Sequence, residues 1–136
     1  MGLTGELLHE VDRGDSAATW GNDLEVLATP VLLWLGEMAC VQALEGVLES
    51  GKMTVGAAHD VEHLAPTPVG ASLTVRATLV QVEGRRLRFQ LWASDGTDVV
   101  LRGTHDRVVI DRTPFLARIQ KKRPALREMA AEVRYA

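Results

Sequence analysis

An α+β fold is predicted, with one long apolar helix followed by a meander of antiparallel strands. Three observations carry this. Thr29-Pro30 opens a run to about Ser50 that is apolar on nearly every side. From Met53 onward apolar and polar residues alternate in short stretches. Turn signals, Glu83-Gly84-Arg85 and Asp95-Gly96, separate those stretches.

The helix comes first. A hydroxyl residue followed by proline reads as an N-cap and first helical position, so Thr29 is assigned as the cap. Leu32, Leu35, Ala39, Cys40 and Ala43 interleave with Leu33, Trp34, Met38 and Val41, and a helix apolar on all sides is expected to be buried on all sides. Its end is placed near Ser50-Gly51, where glycine suits a C-cap.

Strands are expected over Met53–Leu64, Ser72–Val82, Leu87–Ser94 and Val99–Ile110, with a further strand at Leu7–Val11. In the second of these, Leu73, Val75, Ala77 and Leu79 share one face. Thr113-Pro114 opens a C-terminal helix that Pro124 is expected to interrupt or kink. The whole reads as one domain, 1–136, with a helical tail from about residue 113. A single small sheet has open edges, so edge-to-edge pairing into a homodimer, or a higher assembly built from it, is expected.

Composition narrows the function classes. The chain has 136 residues, 46% apolar and 24% charged, and a net charge of −3; no nucleic-acid partner is expected from that balance. Charged residues at Glu6, His9, Glu10, Asp12, Arg13 and Asp15 leave no room for a secretory signal, and no apolar run reaches membrane-spanning length. A cytoplasmic protein without a membrane partner is the expectation. The single Cys40 has no internal disulfide partner and is read as packing.

Certain residues break the local pattern. Glu37 sits mid-helix among apolar neighbours, where an ionised carboxylate is costly unless paired; it is either a functional acid or part of a solvent-facing stripe. His63 closes a strand-like stretch before Pro66. His59, Glu62 and His63 match a His-x-x-Glu-His zinc pattern, but that spacing works only on a helix. On a strand His59 and His63 stand about 13 Å apart, at roughly 3.3 Å per residue, so no metal is expected. Thr29, besides capping, stands at a helix N-terminus suited to a developing oxyanion.

Five segments then occur in a telling order: Thr29 with Gly36-Glu37-Met38-Ala39-Cys40; Gly56 with His63; Thr67-Pro68-Val69-Gly70; Val82-Glu83-Gly84-Arg85-Arg86-Leu87; and Gly103-Thr104-His105-Asp106-Arg107. From about Leu27 to Lys122 the chain resembles the fluoroacetyl-CoA thioesterase family. That resemblance implies a hot-dog fold, an antiparallel sheet wrapped around the long helix and paired into a dimer. It implies hydrolysis of short-chain acyl-CoA thioesters, with coenzyme A as part of the substrate and no separate cofactor. It carries the catalytic roles to Thr29, Glu37 and His63, and substrate-side roles to Gly56 and Arg107. The family's aromatic gate before the core helix does not carry over, because Asp23 stands at the position of the nearest gating phenylalanine.

The acid and the imidazole are expected to face each other: Glu37 either activates water or attacks the thioester directly to give a transient anhydride, and His63 moves protons to the activated water or the leaving thiolate. Arg85, Arg86, Lys121 and Lys122 are candidates for meeting the coenzyme A phosphates. A non-catalytic acyl-CoA-binding or sensing module on the same fold is the second reading. An enoyl-CoA hydratase is the third, and its Asp-x-Asn-Pro-x-His signature is absent.

Overall fold

The computed structural model of the protein describes residues 2–135. Strand β1 (Thr4–Glu10) is followed by helix α1 (Thr29–Ala43), then strands β2 (Lys52–His63), β3 (Ser72–Glu83), β4 (Arg86–Ser94) and β5 (Val99–Asp111), and helix α2 (Arg112–Tyr135). The five strands form one antiparallel sheet in the order β1-β3-β4-β5-β2. β1 and β2 are the edge strands.

Period-two alternation drives the sheet onto the helix. In β4, Leu87, Phe89, Leu91 and Ala93 are buried while Arg86, Arg88 and Gln90 are exposed. The expected face of β3, Leu73, Val75, Ala77 and Leu79, is buried as well. Against these pack Leu32, Leu35, Ala39, Cys40 and Ala43 of α1, together with Val100 and Leu101 of β5. Each large side chain so buried contributes about 1.5–3 kcal/mol. Helix and sheet meet closest at Gly5, where a Cβ would run into the backbone of Ala39 and Ala43. Burial in this core pushes the Cys40 thiol up to about 12, which keeps it protonated and unreactive.

The structure corrects several expectations. β1 starts earlier than Leu7, because Thr4 and Gly5 already pair with Thr78 and Ala77. α1 ends at Ala43; the chain turns at Leu44, and Gly46 takes φ +72°. α2 runs on through Pro124 rather than stopping there. The N-cap of α1 is Ala28, without a side-chain cap bond, and Thr29 is the first helical residue. Nor is α1 buried on all sides: Trp34 is 51% and Val41 41% exposed. With Pro30 and Met38 they form a stripe at helical spacing, on the flank of α1 that overlooks β2.

On the outer face of the sheet, Asp106 lies between Arg86 (2.9 Å) and Arg88 (2.8 and 3.1 Å). Hydrogen bonds from Arg88, then from Arg86, hold its carboxyl at about 2. A carboxyl depressed in the folded state adds stability above its unfolded value and loses it as pH falls toward the folded one. Acid unfolding of the protein is therefore expected to steepen between about pH 4 and pH 2. Asp106→Asn should flatten that region in a circular-dichroism pH titration and leave the alkaline limb unchanged.

Candidate active site

A β-bulge decides which side chains of β2 face inward. Gly56 pairs with Arg107 and Ala58 with Asp106, so one extra residue intervenes between Gly56 and Ala58. Before the bulge the even positions Thr54 and Gly56 point to the helix side; after it the odd positions His59, Val61 and His63 do. Their partners on β5, Arg107, His105, Gly103 and Leu101, occupy the same face.

Glu37, from the third turn of α1, reaches into this wall. Arg107 Nη1 donates to Glu37 Oε1 at 2.9 Å and to His105 Nε2 at 3.2 Å. The rest of the guanidinium is anchored, with Nε on the Thr54 hydroxyl (2.8 Å) and Nη2 on the Thr54 carbonyl (3.1 Å). Gly56 lies directly under the carboxylate, and a Cβ there would run into Glu37 Oε1. Gly56→Ala is therefore expected to push Glu37 off Arg107 and to lower turnover while the sheet persists, as measured by kcat beside a thermal melt.

Two imidazoles face the same carboxylate. His105 Nε2 is 3.5 Å from Oε1 and His59 Nε2 is 3.8 Å from Oε2. The two rings stack with centroids 4.0 Å apart. His105 is fully enclosed, and its Nδ1 donates to the Ala58 carbonyl at 2.8 Å. Burial, then the charge of His59, lowers its proton affinity, so His105 is neutral with its proton on Nδ1. Glu37, His59 and His105 have the donor set of a metal site. The His105 lone pair a metal would need is, however, already engaged by Arg107, whose fixed positive charge opposes a cation there.

A second cluster lies at the start of α1. The Thr29 hydroxyl and His63 Nδ1 are 2.8 Å apart. His63 Nε2 is buried and has no hydrogen-bond partner. Burial lowers the proton affinity of this imidazole, partly opposed by the Ala65 backbone. The pair borders a cavity of ≈ 440 Å³ whose walls include Trp20, Val26, Leu64 and Pro66. No phenylalanine or tyrosine lines it among the described residues, and Asp23 is exposed outside it.

Thus the structure joins Thr29 to His63, and Glu37 to Gly56 and Arg107, but it does not join Glu37 to His63 within one chain. Eight helical residues separate Thr29 from Glu37, about 12 Å at roughly 1.5 Å per residue. The expected acid–imidazole contact is corrected accordingly: the imidazoles beside Glu37 are His59 and His105. Arg107 is 6% exposed at its side chain and each of its three nitrogens is engaged within the chain, so in this chain it positions Glu37. Of the phosphate candidates, Arg85 bonds to Asp111 and Arg86 to Asp106, while Lys121 and Lys122 are exposed. Sequence reasoning gave no role to His105 or Thr54 and met His59 only in a metal pattern. The one available signal was Gly56, since glycine inside a strand marks a bulge.

Comparison with known proteins agrees with this architecture. The family model described as "Fluoroacetyl-CoA-specific thioesterase" matches residues 11–113. The fluoroacetyl-CoA thioesterase of Streptantibioticus cattleyicolor is 46% identical over 101 residues, 74% of this chain and 73% of that protein. A mutant of the thioesterase FlK, solved in complex with acetyl-CoA, superposes with a TM-score of 0.84 at 35% identity, covering 89% of this chain and 96% of that one. A thioesterase-superfamily protein of Thermus thermophilus, at 20% identity, shares the fold with a TM-score of 0.86 over 93% and 95% of the two chains. The chain has the hot-dog fold and belongs to the fluoroacetyl-CoA-specific thioesterase family.

Proposed function

We propose that the protein hydrolyses short-chain acyl-CoA thioesters to the free acid and coenzyme A, as a homodimer whose active sites lie between subunits. The observation that carries this reading is the pair of half-sites. Thr29 and His63, with a buried and unpartnered Nε2, border a mostly apolar cavity. Glu37 keeps Oε2 free while Arg107 holds Oε1. Each lacks what the other has.

Pairing β2 edges antiparallel about a two-fold axis brings the His63 end of one strand toward the Gly56 end of the other. The same axis covers the exposed Trp34 and Val41 stripe, which otherwise leaves apolar surface in water. Thr29, His63 and the cavity of one protomer then meet Glu37 of the partner subunit. No helix among the described residues is long and apolar enough to cross a membrane.

In this arrangement the N-terminal end of α1 and the Thr29 hydroxyl stabilise the thioester oxygen as charge develops on it. Glu37 of the partner subunit takes a proton from the attacking water through Oε2. The tetrahedral intermediate collapses and the carbon–sulfur bond breaks; His63 passes to the departing thiolate a proton that its free Nε2 draws from solvent, and so returns to its neutral form. The role of Thr29 is therefore separable from stability, because its hydroxyl caps nothing in α1. Thr29→Val should lower kcat on the order of 10²-fold with little change in melting temperature, and Thr29→Ser should restore most of it.

The direct test incubates the protein with acetyl-CoA, fluoroacetyl-CoA and longer or aromatic acyl-CoA esters and follows free thiol. Thiol release that Glu37→Gln abolishes supports the reading. Tight binding of the esters without thiol release identifies an acyl-CoA-binding module instead. With Asp23 exposed and no phenylalanine among the described residues that line the cavity, acetyl-CoA is expected to be hydrolysed as well as its fluorinated analogue.

A further inference from the structure

We propose that His59 is the proton carrier of the site, accepting from Glu37 Oε2 the proton taken from water and passing it to solvent. This rests on the reading of Glu37 as the base. It concerns a different step, the return of Glu37 to its ionised form after each turnover.

The geometry separates the two oxygens of Glu37. Oε1 is fixed by Arg107 and lies over Gly56. Oε2 has His59 Nε2 as its facing group, at 3.8 Å. That exceeds a hydrogen bond, but a small rotation of either side chain closes it. Once Oε2 is protonated the carboxyl has a donor, and His59 Nε2 is a lone pair within reach.

Only one of the two imidazoles beside Glu37 can do this. His105 is sealed from solvent, donates through Nδ1 to Ala58 and accepts through Nε2 from Arg107. Both of its nitrogens are committed. His59 has a quarter of its side chain exposed in the single chain where His105 has none, so of the two rings it is the one that a proton can leave. Imidazole is also the side chain that gains and loses a proton near neutral pH. The stack on His105 holds the His59 ring with Nε2 toward the carboxylate.

The titratable groups that face His59 directly are Glu37 from α1 and His105 from β5, and Arg107 reaches it only through these two. Transfer leaves an ionised Glu37 carboxylate beside the His59 imidazolium, an opposite-charge pair. The step balances: Glu37 carboxylic acid and neutral His59 become Glu37 carboxylate and His59 imidazolium, which then loses its proton to water or buffer.

Because His59 acts through Glu37 and not on the substrate, it is a positioning and proton-transfer residue, and its test needs a readout that packing alone does not move. His59→Phe keeps a flat ring on His105 and removes Nε2. We expect kcat to fall about tenfold or more, KM to stay within about twofold, and the melting temperature to hold. We further expect kcat of the variant, and not of the wild type, to climb with added imidazole buffer at constant pH and ionic strength. Wild-type kcat in His59→Phe overturns the proposal. So does a lowered kcat that imidazole leaves unchanged in a variant whose melt matches the wild type. If His59→Phe melts early, His59→Gln repeats the buffer titration with a ring-free side chain. Activity retained in Glu37→Gln would instead overturn the underlying reading of the base, whatever His59→Phe does.

Discussion

Glu37→Gln is expected to lower kcat for acyl-CoA hydrolysis by about 10³-fold while leaving KM nearly unchanged. The amide is isosteric and still offers an oxygen to Arg107, so substrate binding and the shape of the site persist. What it lacks is a lone pair basic enough to take a proton from water, and positioned acid–base groups are worth about 10²–10⁴ in rate. The same variant carries a stability cost. From sequence, an isolated carboxylate in an apolar helix suggests that neutralising it is harmless or stabilising. The structure reverses this, because Glu37 is the counter-ion of Arg107, which is itself buried. Losing a charge-assisted hydrogen bond costs about 1.5–3 kcal/mol, so the melting temperature should drop although the protein remains folded at 25 °C. Steady-state kinetics beside a thermal melt reads both effects.

Arg107 is expected to be the most sensitive position for stability. Its guanidinium satisfies Glu37, His105 and both polar groups of Thr54 in one plane. Arg107→Ala leaves all four without their donor and creates a void where β5 meets α1. Removing one member of a buried pair costs about 3–5 kcal/mol, a large share of the stability of a domain this size. Arg107→Lys is the more informative change. It keeps the charge but has no planar fork to reach Thr54 and Glu37 at once. Denaturant titration should show Arg107→Lys recovering only part of the loss. Its kcat should stay well below wild type, since a carboxylate held by one mobile ammonium no longer has a fixed orientation.

Much of the fold was legible because β4 and β3 alternate cleanly. Leu87, Phe89, Leu91 and Ala93 can all face a core only as a strand. Thr29-Pro30 marked the start of α1 for the same kind of reason: the fixed φ of proline suits a first helical turn. The cap itself was misplaced by one residue, and the reason is instructive. Thr29 could satisfy a helix N–H, yet its hydroxyl is engaged by His63 from β2, a partner 34 residues away that no local rule anticipates.

The open flank of α1 was illegible for another reason. A stretch such as Leu33-Trp34-Leu35 is apolar whether it meets the protein's own sheet or a second copy. Periodicity reports what avoids water, not which surface does the covering.

The bulge between Gly56 and Ala58 had the largest consequence. Strict alternation from Thr54 puts His59 and His63 on the face opposite Gly56, and one inserted residue brings all three to the same side. Residue order alone therefore suggested Gly56 and His63 through resemblance to a family, while His59 and His105 stayed outside the site. Their stack beside Glu37 emerges only from the register of β2 on β5.

Subunit complementation tests the shared site most directly. His63→Ala and Glu37→Gln are each expected to be inactive as pure proteins. In a dimer containing one chain of each, a site built across the interface from His63 of one chain and Glu37 of the other divides unequally: one site carries both substitutions and its twin carries none. After subunit exchange, verified by native mass spectrometry, the mixture should recover roughly a quarter of wild-type thiol release, as a two-fold dimer with random pairing requires. A mixture that contains the mixed dimer yet stays as inactive as its components would place both residues in a site within one chain and contradict the account.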